Sequence, residues 1–286
     1  MFIILSKNHP LLYNNPSGDA FMSIQNWNAK DYATQSSAQL KWAKELIEKI
    51  NIQGTESILD IGCGDGKITA LLAETCSEGR VIGIDSSQSM INEAESSFVH
   101  EKFPNLSFQV MDASNLIFNE AFDFIFSNSA LHWIKDHSPV LSGIYHALKP
   151  SGKLYLKFGG KGTLDAFQPM INNMLSNSKW ETYFKTFEPT WGFFDDQTYT
   201  QWLKDKGLTP ISVRLVPSDM VHENRHGLEG WVRTTWHPYL TFIPENLKNT
   251  FVTELVDRYL EQNPVDSDGR THVDMVRLEV EATKGK

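Results

Sequence analysis

The sequence predicts a doubly wound α/β fold, seven strands in one sheet with a mostly helical cap, and three observations carry that reading. Short apolar runs alternate with amphipathic stretches over residues 57–158, a pattern that implies a parallel sheet covered by helices on both faces. A glycine-rich turn directly follows the first of those runs and opens a helix. The 286 residues are 41 % hydrophobic and 21 % charged, a balance that suits one large folded domain.

Residues 1–25 form an irregular extension, broken by Pro10, Pro16 and Gly18. Residues 26–286 form the domain. From Ser36 a spacing of three and four places Leu40, Ala43, Leu46, Ile47 and Ile50 on one helix face. Strands are predicted at 57–61, 80–84, 106–110, 122–126 and 153–158, with helices at 68–75, 89–98 and 140–148, the last stopped by Pro150. The stretch 165–207 is dense in aromatics, including Trp180, Tyr183, Phe184, Trp191, Phe193 and Tyr199. Most of them read as the core of crossover helices, one or two as pocket wall. A sixth strand is expected at 211–216 and a seventh at 275–280, with a helical cap, 227–264, inserted between them.

Composition excludes several function classes. A formal net charge of −9 argues against a general grip on nucleic acid, which needs gathered Lys and Arg. Two cysteines, Cys63 and Cys76, make neither a disulfide framework nor a thiolate zinc site. The histidines show no ligand spacing, so no metal is expected. The N-terminal apolar run, residues 2–5, is too short for a membrane span, and a cytoplasmic location is the natural expectation.

The strongest local signal is Asp60-Ile61-Gly62-Cys63-Gly64-Asp65-Gly66. Small residues permit a tight turn and close backbone approach to a ligand. The spacing is G-x-G-x-G, and Lys67 stands where a dinucleotide fingerprint asks for its last glycine. Asp60 and Asp65 add negative charge, unwelcome beside a pyrophosphate but favourable beside a cation. The loop therefore favours a cationic, adenosine-containing ligand. Asp85 ends the second strand, with Ser86 and Met90 following; it reads as the acceptor for two ribose hydroxyls or as a helix cap. Asp112, before Ala113, reads as the partner of an adenine amino group or as a turn cap. Asn128 to Trp133 follows the fourth strand, at the crevice where open sheets bind ligands. There His132 reads as general base, positioning donor or structural hydrogen-bonder, and Trp133 as packing residue or wall.

Taken together, these segments resemble the class I S-adenosylmethionine-dependent methyltransferases, over nearly everything after Asn26. Residues 58–66, 81–90, 108–113, 122–133 and 148–152 look like that superfamily's five motifs. Trp27, Asn28, Tyr32, Asp85 to Ser87 and Leu131 to Trp133 resemble trans-aconitate methyltransferases, although those enzymes usually carry Gln where His132 stands. The stretch 154–184, with Lys179, Trp180 and Tyr183, looks more like insect juvenile hormone acid methyltransferases. The resemblance implies S-adenosyl-L-methionine as cofactor, an antiparallel seventh strand between strands five and six, and Gln35 near the cofactor.

Both groups esterify carboxylates, so the resemblance implies a small, acidic acceptor; a monomer or weak homo-oligomer is expected. A carboxylate is already ionised near pH 7 and needs a counter-charge rather than a base. Arg233, between Trp231 and Trp236, is the leading candidate for a bidentate clamp, with Lys161 and Arg214 as alternatives. The rival readings are methyl transfer to another small nucleophile, and a cofactor-binding protein without activity.

Overall fold

The computed structural model describes residues 52–176, 179–188 and 190–286, together with Ile47 and Ile50. The 1–25 extension, Gln35 and most of the first predicted helix lie outside them.

Seven strands form one sheet in the order β3-β2-β1-β4-β5-β7-β6. The first three are β1 (Ser57–Ile61), β2 (Arg80–Asp85) and β3 (Leu106–Val110). They are followed by β4 (Phe122–Asn128) and β5 (Leu148–Gly159). All five run parallel. β6 (Leu208–His222) and β7 (Thr271–Lys284) complete the sheet, and β7 runs antiparallel to both β5 and β6. β6 is thereby parallel to β1, and the chain leaves it at the edge where the glycine turn sits. The order reverses between β1 and β4, which places a crevice outside their carboxyl ends.

The helices α1 (Lys67–Thr75), α2 (Gln88–Ser97) and α3 (Ser138–Ala147) cover the sheet. Leu59, Ile82, Ile125, Leu141, Ile144 and Leu156 form one buried cluster on it, and Ile58, Leu72, Val81, Ile91 and Phe108 belong to a second. This two-sided burial explains the near-continuous apolar strands. Pro150 does not stop the preceding helix. That helix ends at Ala147, because Leu148 already pairs with Phe122, and Pro150 lies within β5.

The β6–β7 pair is longer than its apolar stretches suggest. It is paired from Leu208–Lys284 to His222–Thr271, whereas β5 meets β7 only over Lys153–Gly159. The hairpin's upper part therefore projects past β5. A third cluster is built on it, in which Met220, Val273 and Met275 pack with Phe167, Trp180, Trp231, Trp236 and Phe251. The cap draws on two excursions rather than one. Residues 164–187, with α4 (Gln168–Leu175), come from the chain after β5. The helices α6 (Arg225–Thr235), α7 (His237–Leu240) and α8 (Glu245–Gln262) come from the chain after β6. Between these excursions, α5 (Asp196–Asp205) leads into β6. Among the described residues no helix is long and apolar enough to cross a membrane.

Candidate functional site

The glycine turn is fixed by its backbone. The Gly62 and Cys63 N–H groups both donate to the Ile84 carbonyl, at 2.7 and 2.9 Å. Gly62 (φ 75°) and Gly66 (φ 81°) adopt left-handed backbone, which glycine enters without penalty. A Cβ on Gly62 would lie 2.1 Å from the Ala130 Cβ. Glycine is therefore required there by the β4 turn pressing on the loop, not by a ligand alone.

Carboxylates gather beside this turn. Asp85 accepts from the Gly64 N–H at 3.1 Å and the Ser87 N–H at 2.9 Å. The cap of α2 is the Ser87 hydroxyl, not Asp85. Asp60 accepts from the Thr69 hydroxyl at 2.7 Å. Burial pushes the Asp60 carboxyl up to about 7, with the Asp85 charge adding to it, and burial also raises Asp85. The buried Cys63 thiol is pushed up by burial and by both carboxylates, which keeps it unreactive. Two desolvated carboxylates, one of them raised further by the other, fit a ligand bearing hydroxyl donors and positive charge. Ser86 is exposed beside Asp85, and Met90 is buried at the start of α2. Asp112 is exposed and caps the short turn Ala113–Asn115 through the Ser114 N–H.

Across the crevice, Asn128 ends β4 and is buried. Beyond it opens a cavity of about 60 Å³ lined by Ser129, His132, Trp133, Trp191, Trp231, Trp236, Arg277 and other side chains. The Gly192 N–H donates to the His132 carbonyl at 2.9 Å, which lays the Trp191–Phe193 segment over the turn. Phe193 then stacks on the His132 ring with centroids 6.0 Å apart.

His132 is held neutral. Burial, then the nearby Arg277 charge, lower it to about 3. Its Nδ1 accepts from the Gly159 N–H at 3.3 Å, so Nε2 carries the ring hydrogen. This tautomer donates; it is not poised as a general base. His137 anchors the same turn, with Nε2 donating to the Leu131 carbonyl at 2.9 Å and Nδ1 accepting from the Tyr199 hydroxyl at 3.1 Å.

Burial lowers His137 and His222 to about 4. A histidine depressed in the folded state charges first in the unfolded chain, so its stabilising effect is full above 6.5 and is lost toward the folded values. The protein is therefore expected to lose stability from pH 6.5 to pH 4, by about 1.4 kcal/mol per pH unit for each such histidine. Asp60, raised on folding, opposes part of that slope. Urea midpoints measured across this range check it, and a flat profile would contradict the neutral histidines.

The cations expected in the site lie elsewhere. Arg233 does not line the cavity. Trp231 and Thr235 do, four residues apart on one face of α6, and a position two residues on from Trp231 points to the other side. Lys161 is exposed and pairs with Asp195, while Arg214 is exposed and pairs with Glu279. The charged side chain that does line the cavity is Arg277, 3 % exposed in the middle of β7 opposite Gly159. Sequence reasoning passed over it: β7 also carries Asp274, Glu279 and Glu281, so one more charged residue there announces nothing, and the side it takes is set by register. Among the described residues no group of His, Cys, Asp or Glu is arranged to hold a metal.

Comparison with known proteins agrees with this geometry. A family profile described as a methyltransferase domain matches residues 52–207. An uncharacterized methyltransferase of Schizosaccharomyces pombe is 28 % identical over 265 residues, covering 90 % of this chain and 98 % of the relative. Trans-aconitate 2-methyltransferase of Shigella flexneri is 26 % identical over 279 residues, covering 91 % and 99 %. The fold is shared with Haemonchus contortus phosphoethanolamine N-methyltransferase 2, solved with S-adenosyl-L-methionine, at TM-score 0.57 and 19 % identity over 90 % of this chain and 57 % of that one. With its seven-stranded sheet, acidic glycine turn and matched profile, the chain belongs to the class I S-adenosylmethionine-dependent methyltransferases.

Proposed function

We propose that this methyltransferase forms methyl esters of small carboxylic acids. The observation that carries the reading is Arg277, a buried guanidinium in the wall of a tryptophan-rich cavity in which it is the one Lys, Arg, Asp or Glu among the described lining residues. A guanidinium fork matches a carboxylate and holds it strongly where water is excluded. The similarity to a trans-aconitate 2-methyltransferase supports the same acceptor class.

The roles divide between the two sides of the crevice. Asp85 accepts the ribose hydroxyls, with Ser86 and Met90 beside it. Asp112 and Ala113 border the adenine, and Asp60, the Gly62–Gly64 backbone with Cys63, and Asn128 surround the methionine portion. Gln35 is proposed for the same site on the resemblance alone. When bound, the cofactor supplies an activated methyl group. On the acceptor side, Arg277 fixes the carboxylate and the His132 Nε2–H donates to it. Trp133, Trp191 and Trp236 exclude water. No proton need be removed from an ionised acid, which suits a histidine held as a donor. Alignment of this kind is worth roughly 7–11 kcal/mol.

Incubation with labelled cofactor and a panel of mono-, di- and tricarboxylic acids, read by product mass, tests the reading. Methyl esters are expected; transfer only to amines or carbon acids would overturn it. The acidic side of the crevice makes a separate prediction. Asp60 stands near 7 without ligand, and a cation beside it favours its ionised form. Protonation thus competes with cofactor binding, and the dissociation constant is expected to rise roughly eightfold from pH 7.5 to pH 6. Calorimetry at the two pH values checks this; a constant affinity would remove Asp60 from the cationic end of the ligand.

A further inference from the structure

Ser129 stands out in the cavity wall. It follows the last residue of β4, and its backbone adopts φ 60°, the left-handed region, where glycine rather than serine is the unstrained choice. The conformation is held by neighbours. The Ser129 N–H donates to the Lys157 carbonyl at 2.7 Å, and the next residue, Ala130, packs against Gly62 of the cofactor turn. The Ser129 hydroxyl is shielded from solvent and makes no hydrogen bond among the described residues. A buried hydroxyl without a partner is costly, and a strained residue that also carries an orphan donor marks a place kept for a ligand.

Two sides meet at this residue. Ala130, one position on, touches the glycine turn, and Ser129 itself lines the cavity with His132 and Arg277. We propose that Ser129 is a positioning residue whose Oγ–H donates to the acceptor carboxylate, completing with Arg277 and the His132 Nε2–H the polar end of an aromatic cavity. This rests on the carboxylate reading above. The three donors come from β7, the turn after β4 and its following helical turn. A carboxylate has lone pairs enough for all three, and donors on several sides leave it one orientation toward the crevice. The hydroxyl makes no covalent step; it selects the oxygen that faces the methyl group.

Two substitutions separate the hydroxyl from the backbone. Ser129→Ala removes the oxygen and keeps the strain, whereas Ser129→Gly removes the oxygen and relieves it. Both are expected to raise KM for an acid acceptor by about tenfold or more, with kcat changed by less than about threefold and cofactor affinity unchanged by calorimetry. Ser129→Gly should melt no lower than the native protein. A native KM in Ser129→Gly would show that the hydroxyl adds nothing to acceptor binding, and matched losses of cofactor affinity would show that the hydroxyl faces the cofactor; either overturns the proposal while acid methylation stands. If the native protein methylates no acid, the carboxylate reading and this assignment fall together.

Discussion

Replacing Arg277 by methionine is expected to lower kcat/KM for an acid acceptor by about a hundredfold or more, with cofactor affinity held within about twofold. Arg277 is 3 % exposed on β7, and it lies near enough to His132 to disfavour a second positive charge there. Methionine keeps an apolar stem of similar length, and because removing one member of a buried polar interaction can itself destabilise, melting curves accompany the kinetics. Lysine should restore only part of the loss, because a point charge cannot reproduce the planar fork. Arg233→Ala should leave acceptor kinetics near native, since Arg233 is absent from the cavity wall. Steady-state kinetics on the three variants decide the matter. Native kinetics in Arg277→Met, accompanied by a lower melting temperature, would make Arg277 a structural residue and remove the observation on which the acceptor class rests.

The second large effect concerns Asp85. Its two oxygens already accept one backbone N–H each, and lone pairs remain for a ribose diol. Each hydrogen bond to an ionised acceptor is worth roughly 1.5–3 kcal/mol. Asp85→Ala is therefore expected to weaken cofactor binding roughly a hundredfold, with Asp85→Asn intermediate. Melting curves belong beside the calorimetry, because the same carboxylate helps hold Gly64 and the start of α2. A folded variant with native affinity would exclude Asp85 from the ribose.

The first half of this molecule was legible because local pattern and global position agree there. Residues 57–61 and 106–110 are short apolar runs between turn signals, and they are strands to the residue. The glycine turn could be placed at a sheet crevice because its neighbours alternate strand and helix. The second half was less legible for two physical reasons. The ends of β6 and β7 rise past the sheet, and Pro217 and Asp219 there carry no strand signal; pairing with Val276 and Asp274 makes them strand. The cavity that Arg277 lines is assembled from residues far apart in sequence, so no spacing announces it. Trp191 and Phe193 reach it because one backbone hydrogen bond ties Gly192 to His132, and Arg277 reaches it by register. The choice of Arg233 relied on neighbouring tryptophans; helical geometry places Trp231, two residues back, on a different face, and Trp236 lies beyond the end of α6. For His132 the residue type was informative, while its tautomer needed the Gly159 N–H.

The position of β7 has a consequence for how the chain is made. It lies between β5 and β6 in space but follows both in the chain. As the polypeptide leaves the ribosome, β1 to β5 and the cofactor turn can assemble early. The free edge of β5 must then wait for more than a hundred further residues, on the order of ten seconds of synthesis. Until then that edge offers unpaired backbone groups to any passing strand. The strand that finally closes it also delivers Arg277, so the nascent chain gains the proposed acceptor anchor only in the step that seals the sheet.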